Sequence, residues 1–214
     1  MDPHPSFPAS LELRHAGCTR GGRLLFERLS LRLPAGQWLR VSGENGSGKS
    51  SLLRMLCGLL PPAGGQVLWR EQPLPRAREQ LARELVYLGH APALKDDLTA
   101  LENLTTACAL GGQAVSQAQA LTALREAGLD GRHALVPARR LSQGQRRRCA
   151  LARLPLARQR PLWILDEPFS ALDASACEWL GSLLQAHLAS GGLAVVTSHQ
   201  GNALEALPHQ WLQL

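Results

Sequence analysis

The chain has 214 residues, of which 45% are apolar, and it carries a formal net charge of +6. This length and apolar content allow one good core and a smaller appended subdomain, so we expect residues 1–214 to form a single domain. No stretch of the sequence approaches the roughly 20 uninterrupted apolar residues that a membrane-spanning helix needs. The first residues lack a basic region followed by an apolar run, which predicts a cytoplasmic protein without a secretory signal.

The basic balance leaves three kinds of partner open: nucleic acid, a membrane surface or an acidic protein. Arginines concentrate at residues 139–140 and 146–148, but one Tyr and three Phe provide little aromatic interleaving for nucleic acid. We therefore interpret these arginines as a solvated face near a phosphate site and expect no nucleic-acid partner. The five cysteines lack zinc-binding spacing and are expected to be reduced, partly buried thiols.

The first half of the chain predicts mainly strands. Residues 11 to 41 read as short strands with turns at Gly21-Gly22 and at residues 34–36, which indicates an antiparallel β edge. The alternating segment 37–42 predicts a strand, and the segment 51–60 predicts a helix that stops at two prolines. Two further strands are predicted, at residues 66–69 and 85–88.

The second half predicts an α/β core with a helical insertion. Residues 99 to about 157 are alanine-rich with leucines at helical intervals, which predicts a helical subdomain. The apolar runs 162–165 and 193–197 are typical of strands buried on both faces of a parallel sheet, and residues 174–189 between them predict a helix. The fold class is therefore α/β, with a parallel sheet, an antiparallel β edge and a helical subdomain.

A glycine-rich loop lies between the strand 37–42 and the helix that follows. Its sequence, Gly43-Glu-Asn-Gly-Ser-Gly-Lys-Ser50, has the form G-x-x-x-x-G-K-[S/T]. Strand, loop and helix in this order aim backbone N–H groups and a helix N-terminus at a polyphosphate. Lys49, one of only two lysines, would reach the outer phosphates, and the Ser50 hydroxyl would ligate Mg²⁺. The predicted nucleotide-binding residues are Gly43, Glu44, Asn45, Gly46, Ser47, Gly48, Lys49, Ser50 and Ser51.

Two carboxylates end the apolar strand 162–165. We expect Asp166 to hold Mg²⁺ beside the glycine loop and Glu167 to orient and polarise an attacking water. Capping of the next element is the alternative role for such a pair. His199 follows the strand 193–197 and would lie at the same edge of the sheet, where it could bond the terminal phosphate or the water. A structural loop histidine is the alternative there.

A second anion site is predicted at the segment Leu141, Ser142, Gln143, Gly144 and Gln145, which we call the signature segment. It precedes a helix predicted from residue 146 to residue 154. Ser142 and Gly144 would place a hydroxyl and backbone N–H groups at the N-terminus of that helix. The alternative is that Ser142 is an ordinary helix N-cap.

In chain order these motifs, together with residues 170–173, resemble the nucleotide-binding subunit of ATP-binding cassette (ABC) transporters over nearly the whole chain. The resemblance implies an ATP hydrolase with a P-loop nucleotide-binding core that uses ATP and Mg²⁺ and works with integral membrane permease subunits. Two copies would pair head to tail, so that Ser142 and Gly144 of one copy face the ATP held by Lys49 of the other. It further implies that Asp173 communicates between the two sites.

Two positions depart from the family pattern. The family has an aromatic residue that stacks on adenine about two dozen positions before the glycine loop, where this chain has Arg20, whose guanidinium could stack instead. The family has a glutamine after the strand 85–88 that contacts Mg²⁺ and links to the membrane subunits, and here that position is His90. Residues 90–99 are therefore the expected docking segment for those subunits.

Within the family, the runs 87–90, 98–104, 141–148 and 162–169 look most like the ATP-binding subunits of the bacterial cytochrome c maturation, or haem exporter, system. This resemblance implies a peripheral ATPase at the cytoplasmic face of the inner membrane that drives handover of haem carried on a chaperone. A soluble ABC-type ATPase acting on an assembly scaffold, such as one for iron–sulfur clusters, is an alternative. So are the ATPase of a different small-substrate exporter and a basic nucleic-acid-binding module.

Overall fold

The structure of the chain is a computed structural model that describes residues 9–198, 207 and 209–214. The predicted site residue His199 lies outside the described residues. Among these residues the strands are β1 (Ser10–Arg20), β2 (Arg23–Pro34), β3 (Trp38–Ser42), β4 (Gly64–Trp69), β5 (Gln72–Pro73), β6 (Leu85–Leu88), β7 (Leu162–Leu165), β8 (Leu193–Thr197) and β9 (His209–Gln213). The helices are α1 (Lys49–Leu56), α2 (Leu74–Glu84), α3 (Ala100–Leu110), α4 (Gln117–Glu126), α5 (Gly131–Ala134), α6 (Gln143–Leu151), α7 (Arg153–Leu156) and α8 (Ala174–Ala189), with a 3₁₀ turn over Ala138–Arg140.

The described strands form two sheets. One is antiparallel with the strand order β2-β1-β4-β5, and the other is parallel with the order β6-β7-β8-β3-β9. The α/β fold class and the antiparallel edge are therefore confirmed. β7 and β8 lie inside the parallel sheet and every residue of both is buried, which is why their sequences are continuous apolar runs. Because parallel strands end at one edge, the residues after β3, β6, β7 and β8 come together there.

Some predicted elements have different bounds or were missed. β1 and β2 have 11 and 12 residues and form one long hairpin around Gly21-Gly22, where short strands were expected. α1 ends at Leu56 instead of residue 60, because Gly58 adopts a φ of 71° and the backbone N–H of Leu59 turns back to the carbonyl of Arg54. Helix α2 and the edge strand β9 were not predicted.

The helices between residues 100 and 156 have an apolar cluster of their own. Its buried side chains include Leu104, Leu124 and Leu129, with many alanines filling the space between helices. The helix predicted over residues 146–154 is in fact two helices, α6 starting three residues earlier and the short α7. Trp179 of α8 packs against this cluster and against the cluster under β7 and β8, so it joins the helical segment to the sheet.

Candidate functional site

The glycine loop, residues 43–50, connects the end of β3 to the start of α1 and is shaped by glycines in left-handed conformations. Gly48, the N-cap of α1, has a φ of 111°, and Gly43 has a φ of 144°. A Cβ at Gly43 would lie 2.5 Å from the carbonyl oxygen of Leu214 and 2.7 Å from Oγ of Ser47. Both positions therefore require glycine. The loop leads directly into the N-terminus of α1, which is the order of strand, loop and helix that the sequence predicted.

Lys49 is the first residue of α1 and folds back over the glycine loop. Its Nζ donates to the carbonyl oxygens of Gly43, at 2.7 Å, and Glu44, at 3.0 Å. A lysine on the second turn of the helix would point away from the loop, whereas this position places the ammonium over the loop itself. The positive charge is thus held where the phosphates of a nucleotide would lie.

A hydrogen-bond network joins the glycine loop to the end of β7. Oγ of Ser50 donates to Oδ2 of Asp166 at 3.0 Å, although the two residues are 116 positions apart in sequence. Oγ1 of Thr197, at the end of β8, donates to Oδ1 of Asp166 at 2.7 Å. Asp166 is 4% exposed, so its carboxylate is held by two hydroxyls in a largely dry position. The predicted magnesium residues Ser50 and Asp166 are therefore together.

Glu167 follows Asp166 in an unusual backbone conformation. Its φ is 51°, in the left-handed region that non-glycine residues seldom adopt. The backbone N–H of Glu167 donates to Oγ1 of Thr197 at 2.7 Å, and its carbonyl accepts from Arg147. Strained conformations of this kind persist where the surroundings hold them and occur at functional sites. The side chain reaches the same cleft as the glycine loop.

The glycine loop and the two carboxylates line one cleft of about 400 Å³. Arg20, at the end of β1, and His90, after β6, also line it, so the two positions that depart from the family pattern both face the site. The lining residues are Arg20, Leu25, Asn45, Gly46, Gly48, Lys49, Ser50, Ser51, His90, Asp166 and Glu167. His90 also lines a neighbouring cavity with Gln143, beside the signature segment.

The signature segment forms the N-terminus of α6. Ser142 is the N-cap: Oγ of Ser142 accepts from the backbone N–H of Gln145 at 3.2 Å, and Oε1 of Gln145 accepts from the backbone N–H of Ser142 at 2.9 Å. This reciprocal pair is a capping box, so the alternative role of Ser142 as an N-cap is present in the structure. Ser142 remains exposed, and its hydroxyl hydrogen stays available to a ligand. Leu141 is buried and anchors the segment.

Asp173 is the N-cap residue just before α8, and its carboxylate contacts groups of its own chain. Oδ1 of Asp173 accepts from the backbone N–H of Ala176 at 3.0 Å, and Oδ2 forms a 2.5 Å ion pair with Arg148. These contacts, of which the helix N-cap is the largest, lower the pKa of the Asp173 carboxyl. Asp173 thus connects α6, which carries the signature segment, to the loop that follows Glu167.

The interpretation of residues 146–148 as a solvated face is wrong. Arg147 is 5% exposed and donates to backbone carbonyls at the ends of β6 and β7. Arg146 pairs with Asp96 at 2.7 Å, and Arg148 pairs with Asp173. Little in the sequence indicates this burial, since three consecutive arginines on a short helix are typical of a solvent-facing surface. Thr197 was also missed, although a polar residue ending a buried apolar strand is such a signal.

The cysteines agree with the prediction of reduced structural thiols. All five lie among the described residues and are free, and three of them are buried. Burial raises the pKa of the Cys149 thiol to about 12, which keeps it protonated and unreactive. Within the described part of the chain, His, Cys, Asp and Glu side chains form no group of three or more that could hold a metal ion. An oxygen site built from Ser50 and Asp166 is of a different kind, suited to Mg²⁺.

The arrangement as a whole defines a class of protein. A glycine loop at a helix N-terminus that faces a strand-end carboxylate, in a parallel α/β sheet, is the site of a P-loop nucleotide-binding protein. Residues 26–170 match the family model described as ABC transporter. The chain belongs to the ABC transporter family and is an ABC-type ATPase.

Relatives that are about half identical in sequence show which group within the family the chain resembles. The cytochrome c biogenesis ATP-binding export protein of Albidiferax ferrireducens is 46% identical over 205 residues, which cover 96% of this chain and 97% of that protein. The protein of the same name from Aromatoleum aromaticum is 51% identical over 197 residues, covering 92% and 91%. The one from Pseudomonas aeruginosa is 50% identical over 195 residues, covering 91% and 95%. The resemblance to the cytochrome c maturation group is thereby confirmed.

Solved structures agree with the fold. A dimeric ATP-binding cassette in a post-hydrolysis state, bound to ADP and Pi, superimposes with a TM-score of 0.76 at 27% identity, covering 89% of this chain and 88% of that one. A bacterial Atm1-family ABC exporter with ATP bound superimposes with a TM-score of 0.82 at 22% identity, covering 99% of this chain and 40% of that one, and supports the fold alone. None of the described helices is long and apolar enough to cross a lipid bilayer.

Proposed function

We propose that the chain is the ATP-hydrolysing subunit of a cytochrome c biogenesis exporter and couples ATP binding and hydrolysis to the handover of haem or of a haem-carrying chaperone. The relatives named cytochrome c biogenesis ATP-binding export proteins support this, since they match nearly the full length of the chain. The observation that carries the chemistry is the hydrogen bond from Ser50 to Asp166, because it joins the phosphate loop to the carboxylate pair.

Ser50 and Asp166 are proposed to hold Mg²⁺. Their oxygens are hard ligands already drawn together at 3.0 Å, and Thr197 fixes the second carboxylate oxygen. When bound, Mg²⁺ would neutralise charge on the β- and γ-phosphates. Lys49 would exchange a loop carbonyl for the outer phosphates, and the N–H groups of residues 43–51 would surround the remaining phosphate oxygens.

Glu167 is proposed to orient and polarise the attacking water. Its backbone is fixed at both the N–H and the carbonyl, so the carboxylate is presented to the cleft in a defined direction. His199 is proposed to bond the terminal phosphate or the water. Arg20 lies at the cleft and is proposed to stack on the adenine ring in place of an aromatic residue.

A second copy is proposed to complete the site. The exposed Ser142 and the N–H groups at the start of α6 would face the ATP held by the partner copy, together with Gln143 and Gln145. The dimeric state of a 27% identical ATP-binding cassette bound to ADP and Pi supports the pairing. Asp173 is proposed to communicate between the two sites, through the ion pair that joins it to α6.

The chain is proposed to act as one ABC ATPase domain, residues 1–214 with a helical subdomain at about 99–157, docked at the cytoplasmic face of the inner membrane. Residues 90–99 would contact the permease subunits, and His90 would connect that segment to the cleft it lines. Partners, rather than this chain, would bind haem. We propose no nucleic-acid partner, because Arg147 is buried and Arg146 and Arg148 are engaged in ion pairs.

Identification of the polypeptides that co-purify with the chain from detergent-solubilised membranes tests this function. We expect integral membrane subunits, with crosslinks from residues 90–99 to them. Recovery with a membrane-free assembly scaffold, and crosslinks from this segment to no membrane protein, would contradict the exporter assignment in favour of a scaffold-bound ATPase.

A further inference from the structure

The guanidinium of Arg147 is enclosed between α6 and the carboxyl ends of β6 and β7. Its Nη1 donates to the carbonyl oxygens of Gly89 and His90, each at 3.0 Å. Its Nη2 donates to the carbonyl oxygens of Asp166, at 2.5 Å, and Glu167. β6 and β7 are neighbours in the parallel sheet, so one side chain ties together the two strand ends that border the cleft.

The surroundings of Arg147 explain why an arginine can be buried there. Desolvation lowers the pKa of Arg147, and the negative charges of Asp166 and Glu167 oppose that shift. A buried charge is costly unless its donors are satisfied, and here four carbonyl oxygens accept from Nη1 and Nη2, while Nε has no hydrogen-bond partner among the described residues. Only a planar guanidinium offers several donors in fixed directions, whereas the ammonium of a lysine is a single compact point.

Of these four hydrogen bonds, the one from Arg147 to the carbonyl of Glu167 bears on catalysis. The left-handed backbone of Glu167 needs support from its surroundings. Thr197 binds the N–H of this residue, and Arg147 binds its carbonyl, so the peptide planes on both sides of its Cα are constrained. The direction in which the Glu167 side chain leaves the backbone is set by these two contacts.

We propose that Arg147 is a positioning residue for ATP hydrolysis: it aims the Glu167 carboxylate and ties that aim to the helix that begins at Ser142. The inference rests on the proposed function, in which Glu167 polarises the attacking water. A misplacement of about 1 Å costs on the order of 100-fold in rate, while nucleotide binding by the glycine loop does not depend on this carboxylate. A shift of α6 when a second copy closes on the site would reach Glu167 through Arg147.

The test compares Arg147→Met with Arg160→Met in the full chain. Arg160 is the control, because it is a half-buried arginine that, like Arg147, donates to backbone carbonyls, those of Leu85, at 2.8 Å, and Gly111. Leu85 starts β6, so this contact is at the opposite end of that strand from the cleft. We expect Arg147→Met to lower kcat by roughly 30-fold or more with the KM for ATP changed less than about threefold. Arg160→Met should lower the melting temperature and keep kcat within about twofold.

A double variant shows whether Arg147 acts through Glu167. Glu167→Gln combined with Arg147→Met should hydrolyse ATP, under single-turnover conditions, no more slowly than Glu167→Gln alone, since effects on one functional unit are not additive. A further fall by the full factor seen in the wild-type background would overturn the inference. Equal losses of kcat in Arg147→Met and Arg160→Met would overturn it as well.

Two outcomes separate this inference from the proposed function. If Glu167→Gln hydrolyses ATP at the wild-type rate, the proposed role of Glu167 fails whatever Arg147 does. If Glu167→Gln is inactive while Arg147→Met behaves like the control, only the role of Arg147 fails. Should Arg147→Met not fold, Arg147→Lys replaces it: we expect a lowered kcat at unchanged KM, because an ammonium cannot span both strand ends, and a wild-type kcat would overturn the proposal.

Discussion

Gly144 in the signature segment lies against the carbonyl of Ala171, so closely that a Cβ on Gly144 would stand 2.7 Å from that oxygen. Ala171 has a φ of 60°, a left-handed conformation, in the loop between Glu167 and Asp173. The signature glycine is therefore required by a contact inside one chain, in addition to any contact with the ATP of a second copy. The signature segment would contact the ATP of the second copy, whereas the loop after Glu167 would lie beside the ATP of its own copy. Within one chain these two loops pack against each other.

Replacement of Gly144 by alanine tests this contact. An alanine in a helix is normally better than glycine by about 0.5–1 kcal/mol, but here a backbone carbonyl must move. We expect Gly144→Ala to lower the free energy of unfolding by about 1–2 kcal/mol in denaturant titrations without nucleotide. Gly131→Ala, in α5 with nothing within 4 Å of the added Cβ, is the matched control and should be neutral or stabilising. Equal stability of the two variants would contradict the packing argument.

The proposed magnesium site predicts how Asp166→Asn behaves. The wild-type chain should bind ATP more tightly with Mg²⁺ than with EDTA, because Asp166 and Ser50 supply oxygen ligands. Asp166→Asn should lose most of that difference, as measured by equilibrium binding of a fluorescent ATP analogue in both conditions. Asp97 is exposed, pairs with Arg139 and is far from the glycine loop in sequence, so Asp97→Asn is the control variant and should keep the magnesium effect. A full magnesium effect in Asp166→Asn would place the metal elsewhere.

His90 replaces the glutamine of the family and provides a separate test. Its carbonyl is held by Arg147 at 3.0 Å, while its side chain is exposed and lines the cleft. We expect His90→Gln to keep the hydrolysis rate and His90→Ala to lower it about tenfold, the equivalent of one lost hydrogen bond to a charged group. Steady-state ATPase assays of both variants decide the matter. An unchanged rate in His90→Ala would show that the side chain has no such role.

The burial of His187 predicts that the folded chain loses stability in acid. It is 5% exposed, stacks on Trp163 with ring centroids 3.8 Å apart, and its Nε2 lies 3.2 Å from the carbonyl of Leu193. Desolvation lowers the pKa of His187 from 6.5 to about 4. In the unfolded chain this imidazole takes up a proton below about pH 6.5 and in the folded chain only below about pH 4, so stability falls across that window by roughly 3 kcal/mol.

The measurement is the free energy of unfolding at pH 7 and at pH 4.5. His187→Phe keeps an aromatic ring against Trp163 without a titrating group, so it should show a smaller difference between the two pH values than the wild type. The exposed His15 supplies the control His15→Gln, which should keep the wild-type difference. An identical pH dependence in all three proteins would rule out His187 as the source.

The parts of the fold that the sequence predicted well are those with continuous apolar runs. β7 and β8 have the bounds expected from the sequence, because burial on both faces of a sheet leaves an unmistakable pattern. The helix α8 between them also has the expected bounds. α2 was missed, since its three buried residues, Leu74, Ala77 and Leu81, are outnumbered by charged ones. β9 was missed because this edge strand alternates in exposure and only two of its five residues, Trp211 and Leu212, are apolar.

The site residues also divide into those that the sequence predicted and those that it missed. The motifs identified Lys49, Ser50 and Asp166, and the structure brings the last two into contact. The sequence could not show Arg147 turned inward or Thr197 between the two carboxylate residues, because both depend on which strand ends meet at one edge. Such contacts arise from tertiary packing between residues far apart in the chain, so no spacing of residues along the sequence predicts them.

The most direct test of the account is the mass of Glu167→Gln in light scattering with MgATP. The neutral amide keeps the shape of the side chain but loses the polarisation of water, so ATP should stay bound and the variant should run at twice the 23.1 kDa of one chain. Lys49→Ala, which loses nucleotide affinity, should remain at the mass of one chain. If Glu167→Gln binds ATP and still has the mass of a single chain, the proposed closure of two copies over the nucleotide is contradicted.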